Sequence, residues 1–238
     1  MLKAYQSFQL TRRKKRTSGT LTSRNPIWVF RGSQNNGKTY QLHGNPIAVL
    51  DHDFPLKELG KVTPFGVYNI FKNQGFVSVG MSSDTAVFAV ESIRKWWYVQ
   101  GAESYKSADE IVVTADSGGS NGYRNRLWKY ELQTLANEIG KKITVLHYPP
   151  GTSKWNKIEH RLFAFISKNW QGIPLTSTAL VVSLIGATST STGLMVTCVL
   201  DESEYQAGIK ISNEEYSSIN ISAADFHGEW NYTISNNN

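Results

Sequence analysis

The apolar positions of this chain predict strands first and then an alternation of helices and strands. Short stretches that end at glycine, asparagine or proline turns are typical of strands, and such extended stretches occupy residues 27–30, 38–42, 66–70 and 76–80. We expect the first two runs to form a hairpin, and the other two to extend the same sheet across a turn at residues 73–75. The first part of the folded body is therefore predicted to be a β-sheet.

The spacing of apolar residues changes to that of a helix near residue 83. Ser83 or Asp84 can cap this helix at its N-terminus. Apolar side chains then return every three or four residues, at Val87, Val90, Ile93, Trp96 and Trp97. One face of the helix is thus apolar, and we expect that face to pack against the sheet.

Two continuous apolar runs further along the chain predict strands that are buried on both faces. They are Ile111–Ala115 and Ile143–His147, and a helical segment at residues 124–139, ended by Gly140, lies between them. This alternation implies parallel strands joined by right-handed crossovers. Ligands gather at the carboxyl ends of such strands, and Asp116 directly follows the first of them.

The next predicted helix carries Glu159 beside an apolar stripe that we expect to lie in the core. The stripe consists of Trp155, Ile158, Leu162, Phe165 and Ile166. The pattern weakens beyond residue 170, where a helix at residues 177–188, a strand at 194–200 and a short helix at 213–219 are predicted. This C-terminal part is expected to pack onto the main sheet and to lie along its edge.

Asp116 and Glu159 are candidate ligands of a divalent cation. Carboxylates at the end of a buried strand and on a later helix can converge, and hard cations prefer oxygen ligands. The residues alone leave two other interpretations open. Asp116 can be a turn-forming aspartate, and Glu159 can be a surface ion-pair partner of Lys154 or Arg161.

Charge and cysteine content narrow the class of protein. The 238-residue chain has a formal net charge of +6, which equals the contribution of its first six cations. Five of these are consecutive, at residues 12–16, and such a run is either a solvated tail or a source of salt-sensitive affinity for nucleic acid.

The single cysteine, Cys198, excludes an intramolecular disulfide and fits a reducing cytosol. No apolar run approaches the roughly 20 residues that span a bilayer, so we expect a soluble, cytoplasmic protein.

Two long motifs carry a resemblance to a known family. The first is Val113–Gly122, which contains Asp116, and the second is His147–Arg161, which contains Glu159. Both resemble bacterial insertion-sequence transposases of the ISAzo-type DDE family. Shorter similar segments lie at residues 51–55, 91–97 and 226–232, so that the resemblance covers roughly residues 30–234.

This resemblance implies an α/β fold, namely an RNase H-like mixed sheet flanked by helices, with a C-terminal extension. It also implies DNA strand cleavage and transfer for an insertion sequence, with Mg²⁺ or Mn²⁺ held by three acids. Asp116 would be the second of these catalytic, metal-binding acids and Glu159 the third. The implied partners are the DNA of the element ends and of the target, with no membrane, and homo-oligomerisation is left open.

Basic side chains in the N-terminal run and around Glu159 are the candidate DNA contacts. They are Arg12, Arg13, Lys14, Lys15, Arg16, Lys154, Lys157 and Arg161. A solvated helix face is the alternative for the last three. His147, His160 and His227 can orient ligands or phosphates, although histidines are more often packed in a core or exposed to solvent.

The first acid of the family pattern is missing from this chain. Its position on the first core strand falls near Ser23, yet no Asp or Glu occurs between Met1 and Leu50. Asp51 or Asp53 can substitute, but both lie in a segment that matches the family in its own right, and the alternative is a deleted or frame-altered N-terminal part. We therefore expect a truncated, impaired transposase or, alternatively, a non-catalytic nucleic-acid-binding or oligomerising remnant. A general RNase H-like nuclease is a third hypothesis.

The predicted organisation has three parts. Residues 1–25 are expected to form a basic, poorly ordered arm that is a remnant of the N-terminal region. Residues 26–175 form the RNase H-like DDE core that lacks its first acid, and residues 176–238 form the extension packed on that core.

Overall fold

The fold is built on one mixed β-sheet. A computed structural model describes residues 16–23, 27–28, 61–149, 152, 155–173 and 175–237. In this part of the chain the strands are β1 (Arg16–Ser23), β2 (Ile27–Trp28), β3 (Lys61–Asn69), β4 (Gln74–Gly80), β5 (Glu110–Ala115), β6 (Lys142–His147), β7 (Met195–Asp201), β8 (Ile221–Ala223) and β9 (Asn231–Ile234). Their order across the sheet is β7-β4-β3-β1-β5-β6-β9-β8, and β2 pairs with β3 outside this order.

Helices cover the two faces of this sheet. They are α1 (Ala86–Trp96), α2 (Ala102–Ser104), α3 (Arg126–Ile139), α4 (Ala164–Asn169), α5 (Thr178–Gly186) and α6 (Asn213–Ser217). Two π-helical turns, Trp97–Gly101 and Glu159–Phe163, run directly into α2 and α4. Among the described helices, none has the length and apolar character needed to cross a membrane.

The five central strands have the arrangement that the resemblance implies. β3 is antiparallel to both β4 and β1, whereas β1, β5 and β6 run parallel to one another. The extended segments predicted on either side of the turn at residues 73–75 form the β3–β4 hairpin, in whose turn Asn73 adopts a left-handed φ of 51°. The predicted parallel pair is β5 and β6, with α3 between them in the chain. The prediction of an RNase H-like mixed α/β fold is therefore confirmed.

Strand β1 corrects the prediction of a poorly ordered arm that extends to residue 25. It occupies the centre of the sheet, where Thr20 is registered with Tyr68 of β3 and with Thr114 of β5. Its polar sequence has no hydrophobic periodicity, but the backbone hydrogen bonds of two neighbouring strands hold it in place. Residues 1–15 of the predicted arm lie outside the described residues.

Strand β2 departs from the hairpin that was predicted for residues 27–42. Ile27 and Trp28 pair antiparallel with Val62 and Lys61 at the start of β3. The other predicted strand of that hairpin, at residues 38–42, lies outside the described residues.

The C-terminal part of the chain contributes strands at both edges of the sheet. β7 adds parallel to β4 at one edge. At the other edge β9 pairs antiparallel with β6, and β8 pairs with β9. The chain beyond residue 176 thus completes the sheet of the core.

Each face of the sheet carries its own apolar layer. Phe76 packs in the layer that includes α1 and α3, whereas its neighbour Val77 packs in the layer that includes α4 and α5. This division follows from strand geometry, because successive side chains point to opposite faces. The helix that carries Glu159 lies in the second layer through Ile158, Leu162 and Phe163.

Capping residues mark the start of α1 and the end of α3. The Thr85 hydroxyl accepts a hydrogen bond from the Phe88 amide at 3.2 Å, so Thr85 is the N-cap of α1 in place of the predicted Ser83 or Asp84. Helix α3 ends, as predicted, at Gly140, whose φ of 64° suits a residue without a side chain.

Two glycines allow the helix of Glu159 to dock directly on the β3–β4 hairpin. A Cβ atom at Gly66 would lie 2.7 Å from Phe163 Cζ, and one at Gly75 would overlap Leu162 Cδ1. Only glycine permits so close an approach of a strand backbone to another side chain. The hairpin therefore determines where this helix, and with it Glu159, is held.

We predict that the substitution Gly66→Ala lowers the free energy of unfolding by about 1–3 kcal/mol, because the added methyl group overpacks a core in which Phe163 is fully buried. Urea unfolding measures this change. Gly186→Ala is the matched control, since its Cβ would meet Cys198 Cβ at an ordinary 3.6 Å. Equal stability of the two variants would contradict the inferred contact.

Candidate active site

Asp116 lies where the central strand β5 meets its loop. It directly follows Ala115, the last residue of β5, and its side chain is half-buried. The loop that follows is tightly turned, with Gly119 at a φ of 79° and its carbonyl accepting a hydrogen bond from the Gly122 amide at 3.2 Å. The predicted boundary position of Asp116 is what the structure shows.

His147 fixes the backbone of Asp116 from the neighbouring strand. It ends β6 directly opposite Ala115, and its Nδ1 lies 2.6 Å from the carbonyl oxygen of Asp116. On the other side of the ring, Nε2 lies 3.1 Å from the hydroxyl of Tyr232 in β9. The loop of Asp116 is thereby tied to β6 and, through β6, to β9.

Burial keeps the His147 ring neutral and so assigns the donors in this network. Desolvation lowers the pKa of His147 to about 4, against a weaker opposing effect of its hydrogen bond to the Asp116 carbonyl. Since a carbonyl only accepts, Nδ1–H donates to Asp116, and Nε2 accepts from the Tyr232 hydroxyl. The Tyr232 oxygen in turn accepts from Trp128 Nε1 at 3.0 Å. Every polar atom in this chain of contacts has a compatible partner.

Glu159 is the first residue of the π-helical turn that precedes α4, and it is buried, with 8% of its surface exposed. The turn before it is held by Asn156, whose Oδ1 accepts a hydrogen bond from the Ile158 amide at 3.2 Å. A buried carboxylate needs a charged or hydrogen-bonding partner, or a cation, so the surface position assumed by the ion-pair interpretation of Glu159 does not hold, whereas Lys154, one of its two candidate partners, lies outside the described residues. π-Helical turns are frequent at functional sites.

The register of the sheet brings Glu159 to the same end as Asp116. Ile158, the residue before Glu159, lies over Gly66, which pairs with Thr22 of β1. Continuing the pairing of Thr20 with Thr114 by two residues places Thr22 level with Asp116. The helix of Glu159 thus packs over the sheet near the level at which β5 ends in Asp116, and ligands of parallel strands bind at that end.

Two carboxylates are the candidate donors for a hard divalent cation. Asp116 and Glu159 offer carboxylate oxygens, whereas both ring nitrogens of His147 are engaged in hydrogen bonds. Among the described residues, no three His, Cys, Asp or Glu side chains are grouped closely enough to hold a metal ion. β1 contributes no acid, because Met1–Leu50 contains none. Asp51 and Asp53 lie outside the described residues.

Most of the predicted basic contacts lie outside the described residues. Arg12, Arg13, Lys14, Lys15 and Lys154 lie outside the described residues, and Arg16 begins β1 and not a free arm. Lys157 is half-buried and Arg161 is exposed. Burial raises the pKa of Tyr68, and the hydrogen bond and charge of Arg161 oppose that rise, so Arg161 also contacts the hairpin.

One aromatic residue near the site, Trp155, differs from its predicted environment. Trp155 was expected in the core but is 56% exposed, because the helix begins only at Lys157 and Trp155 lies in the turn before it. His227 is exposed, and its ring stacks on Trp230 with centroids 5.0 Å apart. His160 is also exposed. The cluster around Trp230 was not predicted, although the density of aromatic residues in 226–232 was a usable signal.

We predict that His147 makes the fold less stable in acid. The unfolded chain takes up a proton on this ring below its ordinary pKa of 6.5, whereas the folded chain does so only near 4, so stability is full above pH 6.5 and falls as the pH approaches 4. Between pH 7 and pH 4 the free energy of unfolding should fall by about 3 kcal/mol more for the native chain than for His147→Gln. His160→Gln, at an exposed position, is the control and should follow the native chain. Parallel pH profiles of the native chain and His147→Gln would contradict the prediction.

Two solved structures resemble the fold. The Mos1 transposase paired-end complex with the left transposon end is 13% identical, with a TM-score of 0.46, and the Mos1 mariner paired-end complex with Mn is 15% identical, with a TM-score of 0.45. Each match covers 69% of this chain and 45% of the other, so the chain spans less than half the length of these transposases. No curated protein sequence matches.

A match to a protein-family model identifies the family of this chain. The model described as the Rhodopirellula transposase DDE domain, of the ISAZ013 type, matches residues 30–236. These residues include both long motifs, with Asp116 and Glu159, and the aromatic segment at 226–232. The resemblance predicted from the motifs is confirmed, and the chain belongs to the ISAZ013-type family of DDE transposase domains.

Proposed function

We propose that this chain is the DNA strand-cleavage and transfer domain of an insertion-sequence transposase, with a metal site that lacks one acid and an activity that is therefore impaired. One observation carries the proposal. Asp116 and Glu159 follow the parallel strands β5 and β6, whereas β1, the neighbour of β5 in the centre of the sheet, has no carboxylate. The family to which the chain belongs supports DNA as the substrate.

The two carboxylates would hold Mg²⁺ or Mn²⁺. When bound, such a cation stabilises the charge that develops on phosphoryl oxygens and activates a water or a DNA hydroxyl. The chain supplies the positioning: His147 holds the Asp116 backbone, and the contact of the helix with Gly66 holds Glu159. Both supports are buried, so they keep the acids in a fixed geometry.

Loss of the acid on β1 weakens this site in two ways. It removes a fixed negative charge next to Asp116, and it removes a ligand that a pair of cations would share. The hydrogen bonds of His147 and Tyr232 orient the Asp116 loop, but they cannot replace a metal ligand. The expected result is weak binding of one cation with little cleavage or transfer.

DNA binding is proposed for the basic residues on either side of the acids. Lys157 and Arg161 lie on the helix of Glu159, and residues 12–16 precede or begin β1. Contacts from these cations to phosphates would be independent of sequence and sensitive to salt. Element ends and target DNA are the proposed partners.

The second candidate is a non-catalytic DNA-binding form of the same domain. It is favoured by the absence of an acid on β1, which affects catalysis without removing the cations. The two candidates differ in one measurable property, since only the first retains metal-dependent cleavage above background.

We predict that the native chain cleaves plasmid DNA carrying the element ends slowly or not at all in Mn²⁺. Thr22→Asp and Ser23→Asp each place a carboxylate on β1 near the level of Asp116, and one of them should raise cleavage by about 100-fold. The same substitution combined with Asp116→Asn is the control and should show no gain. Efficient cleavage by the native chain would overturn the proposed impairment, and absence of any gain in folded variants would contradict the assignment of the missing ligand to β1.

We also predict that one Mn²⁺ ion binds weakly and depends on both acids. Asp116→Asn and Glu159→Gln should each weaken Mn²⁺ binding by about tenfold, since each removes one charged ligand. Electron paramagnetic resonance of free Mn²⁺ measures the change. Glu204→Gln, which alters an exposed acid between β7 and α6, is the matched control. Unchanged affinity in both site variants would show that the cation binds elsewhere.

A further inference from the structure

A pocket with aromatic walls opens beside the candidate active site. Its volume is about 450 Å³, and it lies between the end of β6 and the loop that leads into β9. Its walls include the rings of His147, Phe226, His227 and Trp230, and we name it the aromatic pocket. None of its described lining residues is acidic. The size is within the range of about 300–1,000 Å³ that is usual for small-molecule sites.

The rings of the aromatic pocket meet both face to face and edge to face. His227 and Trp230 are stacked, with 20° between their planes. Phe226 meets the edge of His227 at a centroid distance of 4.4 Å, yet Phe226 itself is 74% exposed. Tyr123 supports Trp230 from the side of the Asp116 loop, at 6.1 Å. An exposed ring beside a stacked pair offers π-faces to a planar ligand.

The loop that carries these rings is fixed before any ligand arrives. The carbonyl of His227 accepts hydrogen bonds from the Trp230 and Asn231 amides, each at 2.9 Å. His227 adopts a φ of 48°, an unfavourable value for a residue with a side chain. A Cβ at Gly228 would lie 2.8 Å from the carbonyl oxygen of Ala224, so the turn is closely packed. Backbone strain held by such surroundings is typical of ligand sites.

The aromatic pocket is joined to the Asp116 loop through shared residues. His147 lines the pocket and donates to the Asp116 carbonyl. Tyr123 contacts both His147 and Trp230, and it also lines a polar cleft of about 560 Å³ formed by the glycine-rich loop after Asp116. Arg124 lines that cleft, with its guanidinium 5.1 Å from the Tyr123 ring. A planar ligand in the pocket would thus have a cation and a carboxylate site nearby.

We propose that the aromatic pocket binds an unpaired nucleobase of the DNA substrate, with Arg124 meeting its phosphate; this inference rests on the proposed function, that the domain acts on DNA. A base stacks on aromatic rings through its π-face, whatever its identity, and its backbone is drawn to a nearby cation. The aromatic walls suit the π-face of a base, and the exposed Arg124 suits the attached phosphate. Taking a base out of a duplex requires unstacking energy, so DNA that already has an unpaired base is preferred.

The test compares a DNA duplex that contains one unpaired 2-aminopurine with the fully paired duplex. We expect the native chain to bind the first about tenfold more tightly in fluorescence anisotropy, and its 2-aminopurine emission to change on binding. Trp230→Ala should abolish both the preference and the emission change, whereas Trp230→Phe should retain most of both because it keeps a π-face. Phe226→Ala, at an exposed position that leaves the fold intact, should reduce the preference.

Phe71→Ala is the matched control, because Phe71 is also an exposed phenylalanine, at 65%, but lies in the β3–β4 turn. It should bind both duplexes like the native chain. Two results would overturn the aromatic pocket as a base site while leaving DNA binding in place. One is an equal affinity of the native chain for the two duplexes. The other is that Trp230→Ala and Phe226→Ala each lower the affinity for the paired and the unpaired duplex by the same factor. Absence of binding to either duplex would overturn the proposed function, and this inference with it.

Discussion

The parallel pairing of β5 with β6 is the constraint on which the rest of the site depends. Since Ala115 lies opposite His147, the two strands end at the same level, and both following loops start from one edge of the sheet. The bond from the His147 ring to the Asp116 carbonyl is possible only in this register. A shift of one residue would turn His147 to the other face and separate it from Tyr232. The aromatic pocket depends on the same register through β9.

Buried contacts on the two faces of the sheet hold the two carboxylates independently. Asp116 is held through His147, Tyr232 and Trp128, which link β5, β6, β9 and α3. Glu159 is held by the packing of its helix on the β3–β4 hairpin in the other apolar layer. These supports share no side chain, so damage to one of them leaves the other acid in position. The two residues of the candidate site therefore belong to two separate packing units on one sheet.

The sequence predicts those parts of the molecule in which local pattern and tertiary structure agree. β5 and β6 are continuous apolar runs and α3 ends at Gly140, so their limits and parallel pairing followed from burial and turn chemistry. β1 could not be predicted in this way, because Arg16–Ser23 is polar and its place depends on pairing with β3 and β5. The burial of Glu159 and the exposure of Trp155 depend on where a helix begins, which spacing does not determine. The link from His147 to Tyr232 joins residues 85 apart in the chain, so no local signal reports it.

The central position of β1 has a consequence for how such a domain can change over generations. Its place in the sheet is secured by main-chain amides and carbonyls, which are the same for every residue except proline. A carboxylate on this strand can be lost without removing any backbone hydrogen bond to β3 or β5. Selection for a folded, protease-resistant chain then does not act against the loss of catalytic activity. An inactive descendant can therefore persist with the fold of its active ancestor.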